Sequence, residues 1–136
     1  MANVTSILVL ENGHRNYTVK VTGILDTSDV AITDLVDTTA AGFQTGNRPE
    51  GNPTGLQITE VEYDIEDSLA VNLYWDATAD QLALSLVGRG ELEFNPAMQN
   101  NAGAGKTGKL QYSTTGWAAS AVLSFNVVLY CHKIYS

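Results

Sequence analysis

Along residues 121–131, Ala121, Leu123, Phe125, Val127, Leu129 and Cys131 fall on one side of an extended chain, while Ser124, Asn126, Tyr130 and His132 fall on the other. Side chains two apart share a face only in a strand, and a helix would scatter this apolar set around its circumference. The same period recurs where Leu69, Val71, Leu73 and Trp75 alternate with Ala70, Asn72 and Tyr74. It recurs again where Tyr17, Val19 and Val21 alternate with Asn16, Thr18, Lys20 and Thr22. No window of a dozen residues keeps apolar positions at three-four spacing. The chain therefore reads as all-β, with half-buried strands.

Between Leu56 and Ile65 the apolar positions change phase, from Leu56 and Ile58 to Val61, Tyr63 and Ile65. A regular strand cannot do this without an extra residue, so a β-bulge is expected near Thr59 or Glu60. Shorter strand candidates cover 6–10, 30–36, 82–87, 91–94 and 109–114, each bounded by turn residues such as Asn12-Gly13, Asp26-Thr27-Ser28-Asp29 and Gly88-Arg89-Gly90. At 136 residues the chain can bury one core, so 1–136 is read as a single domain. The expected architecture is an antiparallel β-sandwich or a Greek-key, jelly-roll-like barrel of about eight or nine strands. Glycine and proline place long loops near 40–55 and 95–108, and long loops in a small domain tend to carry contacts.

Composition excludes several roles. With 15 acidic and 7 basic side chains the formal charge is -8, and such a chain repels nucleic acid. Apolar runs such as Ile7 to Leu10 fall far short of the ~20 residues a membrane helix needs, so no membrane association is expected. One cysteine, Cys131, excludes an internal disulfide and a four-cysteine zinc site. Residues 1–5 lack the basic and apolar regions of a secretory signal, so synthesis in a reducing cytoplasm is expected. The acceptor patterns Asn3-Val4-Thr5 and Asn16-Tyr17-Thr18 are then chance.

No motif supports an enzyme. Gly105-Lys106-Thr107 imitates the end of a phosphate-binding loop, but Asn100 stands where the first glycine belongs and the sequence that follows is β-like. Cys131 and His132 are neighbours on a strand and point to opposite faces, so they cannot act as nucleophile and base. Glu60, Glu62, Asp64 and Glu66 line one face of an extended segment at almost 7 Å spacing, which reads as a solvated face or one that meets a basic partner, not as an ion site. Asp26, Asp29, Asp34 and Asp37 lack calcium-loop order. Catalytic, cofactor and metal residues are therefore expected to be none. Trp75 is read as core, and Trp117, in a turn, as a sugar platform, an interface anchor or a cover over the core.

Five phrases, Arg15-Asn16-Tyr17-Thr18-Val19-Lys20-Val21-Thr22-Gly23, Leu73-Tyr74-Trp75-Asp76-Ala77-Thr78, Gly88-Arg89-Gly90, Asn100-Asn101-Ala102-Gly103-Ala104-Gly105 and Ser113-Thr114-Thr115-Gly116-Trp117, run through most of the chain in order. As a set they resemble the capsid decoration, or cement, proteins of tailed bacteriophages. The resemblance implies a structural virion protein on the capsid surface, made in the host cytoplasm. It would bind the outside of the shell and stabilise contacts between major capsid subunits, often as a homotrimer. The loop near 40–55 is richer in glycine and proline than the family would have.

Lys20 and Lys133 are the only basic residues on the clearest strands, so edge strands look poorly guarded and association with identical copies would cover them. Phe43, Arg48, Met98, Lys106 and Trp117 are the candidate interface residues, at loop and turn positions. Two other roles remain open: a head-completion or tail component of the virion, and a carbohydrate-binding β-sandwich module with Trp117 or Tyr112 as its stacking platform.

Overall fold

The computed structural model describes residues 3–13, 15–37, 53–100, 102–105, 107–118 and 121–135. Among them are nine strands: β1 (Val4–Asn12), β2 (Asn16–Leu25), β3 (Thr33–Val36), β4 (Pro53–Ile65), β5 (Ala70–Trp75), β6 (Gln81–Val87), β7 (Arg89–Met98), β8 (Leu110–Thr115) and β9 (Leu123–Tyr135). No helix occurs among the described residues, and none is long and apolar enough to cross a membrane. The strands form two antiparallel sheets, ordered β1-β2-β9-β4-β7 and β3-β8-β5-β6. The fold is an all-β sandwich, and β9, whose alternation is the plainest in the sequence, lies at the centre of the larger sheet.

The core lies between the sheets. Val19, Val21, Val61, Val127 and Leu129 face inward from the larger sheet, and Val71, Leu73, Trp75, Leu110 and Tyr112 from the smaller, all at 2% exposure or less. The rings of Tyr112 and Phe125 meet across the gap at 6.3 Å with a 55° tilt. Tyr112 is thus a core residue, and its ring cannot serve as the sugar platform expected of it. The phase change in β4 is a bulge: Ile58 and Glu60 are consecutive partners of Cys131 and Tyr130, which leaves Thr59 as the extra residue. The Thr59 hydroxyl donates to the Tyr130 carbonyl at 2.9 Å, which gives the bulged residue a bond.

One expectation needs correction. The segment 95–108 is not loop throughout, because β7 runs on to Met98 through Pro96. An edge strand tolerates proline, whose missing N–H forfeits no bond on the open side. Lys20 and Lys133 lie on β2 and β9, both interior strands, so neither stands at an edge. Lys133 in fact continues the inward face of β9 and is 5% exposed. Its ammonium donates to Asn12 Oδ1 and stands 5.7 Å from the centroid of the Tyr17 ring. Alternation shows which residues share a face, but strand order comes from pairing between distant segments, and no local pattern encodes it.

The described part of the loop after β7 is tied down. Ala104 accepts a bond from the Thr78 amide at 3.1 Å, and the Thr107 hydroxyl donates to Asp76 Oδ2 at 2.7 Å. The segment then enters β8, a strand, so the phosphate-loop imitation has no helix N-terminus behind it.

Candidate functional site

Residues directly opposite one another in antiparallel strands face the same way, so the registers map the outer face of the larger sheet. One row reads Leu8, Lys20, Val128, Glu62, Glu91 from β1 to β7. The next reads Glu11, Thr18, Tyr130, Glu60, Glu93, and the one on the other side reads Ser6, Thr22, Asn126, Asp64, Arg89. The face therefore changes character across its width, from mixed at β1, where Leu8 stands between Ser6 and Glu11, to acidic at β4 and β7.

At the acidic end, Glu62 stands opposite Glu91 and Glu60 opposite Glu93. Like charges directly opposed across strands disfavour the sheet, and here two such pairs lie side by side. Carboxylate oxygens of Glu60, Glu62 and Glu91 lie within 4.8 Å of one another. Strand spacing alone had argued against such convergence, but long side chains close the gap within β4 and β7 adds a third group. Partial burial, and then the charges of Glu91, Glu93 and Glu62, hold the Glu60 carboxyl above its ordinary range. The Tyr130 hydroxyl donates to Glu62 Oε1 at 2.8 Å, and this bond to a carboxylate, followed by burial and nearby glutamates, raises the Tyr130 phenol as well. Arg89 pairs with Asp64 at 3.2 Å, a solvent-exposed contact at the end of the array. Lys20, Glu62, Tyr63, Asp64, Arg89 and Glu91 border an open concavity of about 440 Å³ beside these groups.

Only the β4 half of this array is legible in the sequence. Glu60, Glu62 and Asp64 share a face by simple alternation, whereas Glu91 and Glu93 join them through β4–β7 pairing. Glu66 lies beyond β4, and its carboxylate accepts a bond from Ser124 at 3.2 Å.

The candidate interface residues do not come together as one surface. Phe43, Arg48 and Lys106 lie outside the described residues, as does His14. Met98 ends β7 opposite Ile58 and packs against the core. Trp117 also packs against the core, with its indole N–H donating to the Ala121 carbonyl at 3.1 Å and its amide to Asp29 Oδ1 at 3.0 Å. Of the three roles weighed for Trp117, this geometry matches a cover over the core. Cys131 is 2% exposed on the inward face of β9, and burial pushes its thiol up to about 12, so it is a protonated, inert core group at neutral pH. His132 points the other way, as adjacent strand residues must.

Comparison with protein-family models, with curated proteins and with solved structures finds no match for this chain.

Proposed function

We propose that this protein is a structural virion component that binds the outside of a phage capsid and stabilises contacts between major capsid subunits. The observation that carries the reading is the opposed array of Glu60, Glu62, Glu91 and Glu93 on a rigid sheet face. Such an array stores repulsion that a basic protein surface relieves on docking, so the charges favour a partner over the free state. The sequence resemblance supplies the kind of partner. The mechanism is mechanical: many modest contacts repeated around a shell add up through avidity, and no single tight site is required.

The test is co-sedimentation with capsids lacking the protein. High-copy binding that weakens between about 0.05 M and about 0.5 M salt is expected, because exposed charge pairs are screened over a Debye length. Glu62→Gln with Glu91→Gln is expected to weaken binding several-fold. Binding at about a dozen copies would instead place the protein at a closed ring, as a head-completion or tail component. A chain that ignores capsids overturns the reading.

A further inference from the structure

The opposite end of the same sheet poses a separate problem. All nine residues of β1 are exposed, with Val4 at 62%, Leu8 at 56%, Leu10 at 52%, and Ile7 and Val9 both at 44%. Ile24, opposite Val4 on β2, adds 48%. These side chains project from both faces of the strand, Ile7 and Val9 on the side of Val21 and Val19, and Val4 and Leu8 on the side of Ile24 and Lys20, so the edge is aliphatic above and below. β1 pairs with β2 on one side and with no described strand on the other, so its outward N–H and C=O groups form an open ladder. The strand is also held in place at both ends. Asn3 Oδ1 accepts from the amides of Asp26 and Thr27 at 2.7 and 3.0 Å, and Asn12 accepts from Lys133. The edge is therefore preorganised, and little ordering entropy opposes its pairing.

We infer that the β1 edge pairs with β1 of a second copy of this chain, antiparallel across a two-fold axis, to make a continuous ten-stranded sheet. This inference does not rest on the capsid reading. A two-fold axis normal to the sheet keeps each side chain on its own face, so only residues of like parity can stand opposite each other. The register centred on Ile7 meets this condition and sets Thr5 through Val9 against Val9 through Thr5. It uses the regular part of the strand and stops at the bulge between Val9 and Glu11.

Charge favours this partner over others. The only charged residue on β1 is Glu11, and this pairing holds the two copies of it roughly 27 Å apart. The acidic arrays on β4 lie three strands from β1, so they stand roughly 35 Å apart, beyond several Debye lengths. By contrast β7 presents Arg89, Glu91, Glu93 and Pro96 along its edge, which discourages strand addition. Pairing along one strand edge buries less than the ~800 Å² each partner of a standard interface buries, so the dimer is of modest affinity and dissociates on dilution.

Sedimentation equilibrium and light scattering on the full chain test this across about 1 to 200 µM. The expected result is a monomer–dimer equilibrium, with amides of Thr5 to Val9 exchanging more slowly at the higher concentration. Leu8→Glu is expected to weaken the dimer at least about tenfold. It faces outward beside Lys20, so the monomer keeps its fold and its near-ultraviolet circular dichroism. Leu82→Glu, on the uncharged edge strand β6 of the other sheet, is the control and is expected to leave the dimer intact. A chain monomeric at all concentrations overturns the inference. So does a trimer, or a dimer broken by Leu82→Glu and not by Leu8→Glu, since either means that a different edge pairs.

Discussion

The two edges of the larger sheet are built on opposite terms. At β7 the inward side chains Leu92, Phe94 and Met98 pack against the core, and the outward ones carry charge. At β1 no apolar side chain joins the core, although Thr5 bonds to Tyr112 of the other sheet, and the residues exposed on both faces are largely aliphatic. The difference accompanies unequal layers, five strands packed against four. An edge protected by charge and packing is suited to a monomer, whereas an aliphatic edge held in place at both ends is suited to a partner strand.

If β1 lies outside the monomer's core, truncating its apolar residues must cost little there. Leu129→Ala, fully buried at the centre of β9, is expected to destabilise by about 2–5 kcal/mol. Ile7→Ala, exposed and outside the core, is expected to cost under ~1 kcal/mol. Urea denaturation at low protein concentration separates the two. Equal losses would break the comparison by showing that β1 is core after all.

A second substitution probes how β1 is seated. Gly23 on β2 stands opposite Thr5, and a methyl group there would lie 2.5 Å from the Phe125 ring and 3.2 Å from the Thr5 methyl. Gly23→Ala is expected to cost roughly 1–3 kcal/mol, as overpacking does. It should also speed amide exchange along β1 more than along β7. Uniform acceleration across the sheet would mean that the two edges are coupled.

What the sequence reveals of all this follows the range of the interaction. The bulge at Thr59 is written locally, as a phase change between Ile58 and Val61. Nine strand positions are legible for the same reason. The burial of Lys133 is also implied by extending the alternation of β9 past Cys131, although a lysine on that face invites the opposite reading. The edges are another matter. Nothing in Ser6-Ile7-Leu8-Val9-Leu10 distinguishes an uncovered edge strand from a buried central one, because both are aliphatic runs. Nor does Glu60-Val61-Glu62 announce that Glu91 and Glu93 will stand opposite, since that depends on the register between strands far apart in the chain.

The smallest effect sharpens the acidic side of the comparison. In the folded chain the Glu60 carboxyl titrates above its ordinary 4.5, held there by partial burial and by Glu91, Glu93 and Glu62. Between the unfolded value and the raised folded value, the folded state binds more protons than the unfolded one. Stability from this group therefore falls as pH rises through that window, and the full penalty is present at pH 7. Glu60→Gln removes the charge and is expected to raise Tm at pH 7 by roughly 1–3 °C. The gain should fade as pH falls toward 4.5, where the native carboxyl takes up its own proton. Added salt should shrink it too, since the opposing glutamates are open to solvent. A variant that melts lower than the parent at pH 7 would mean that Glu60 contributes more by packing than it costs by repulsion. The acidic face would then hold no stored repulsion for a basic partner to relieve.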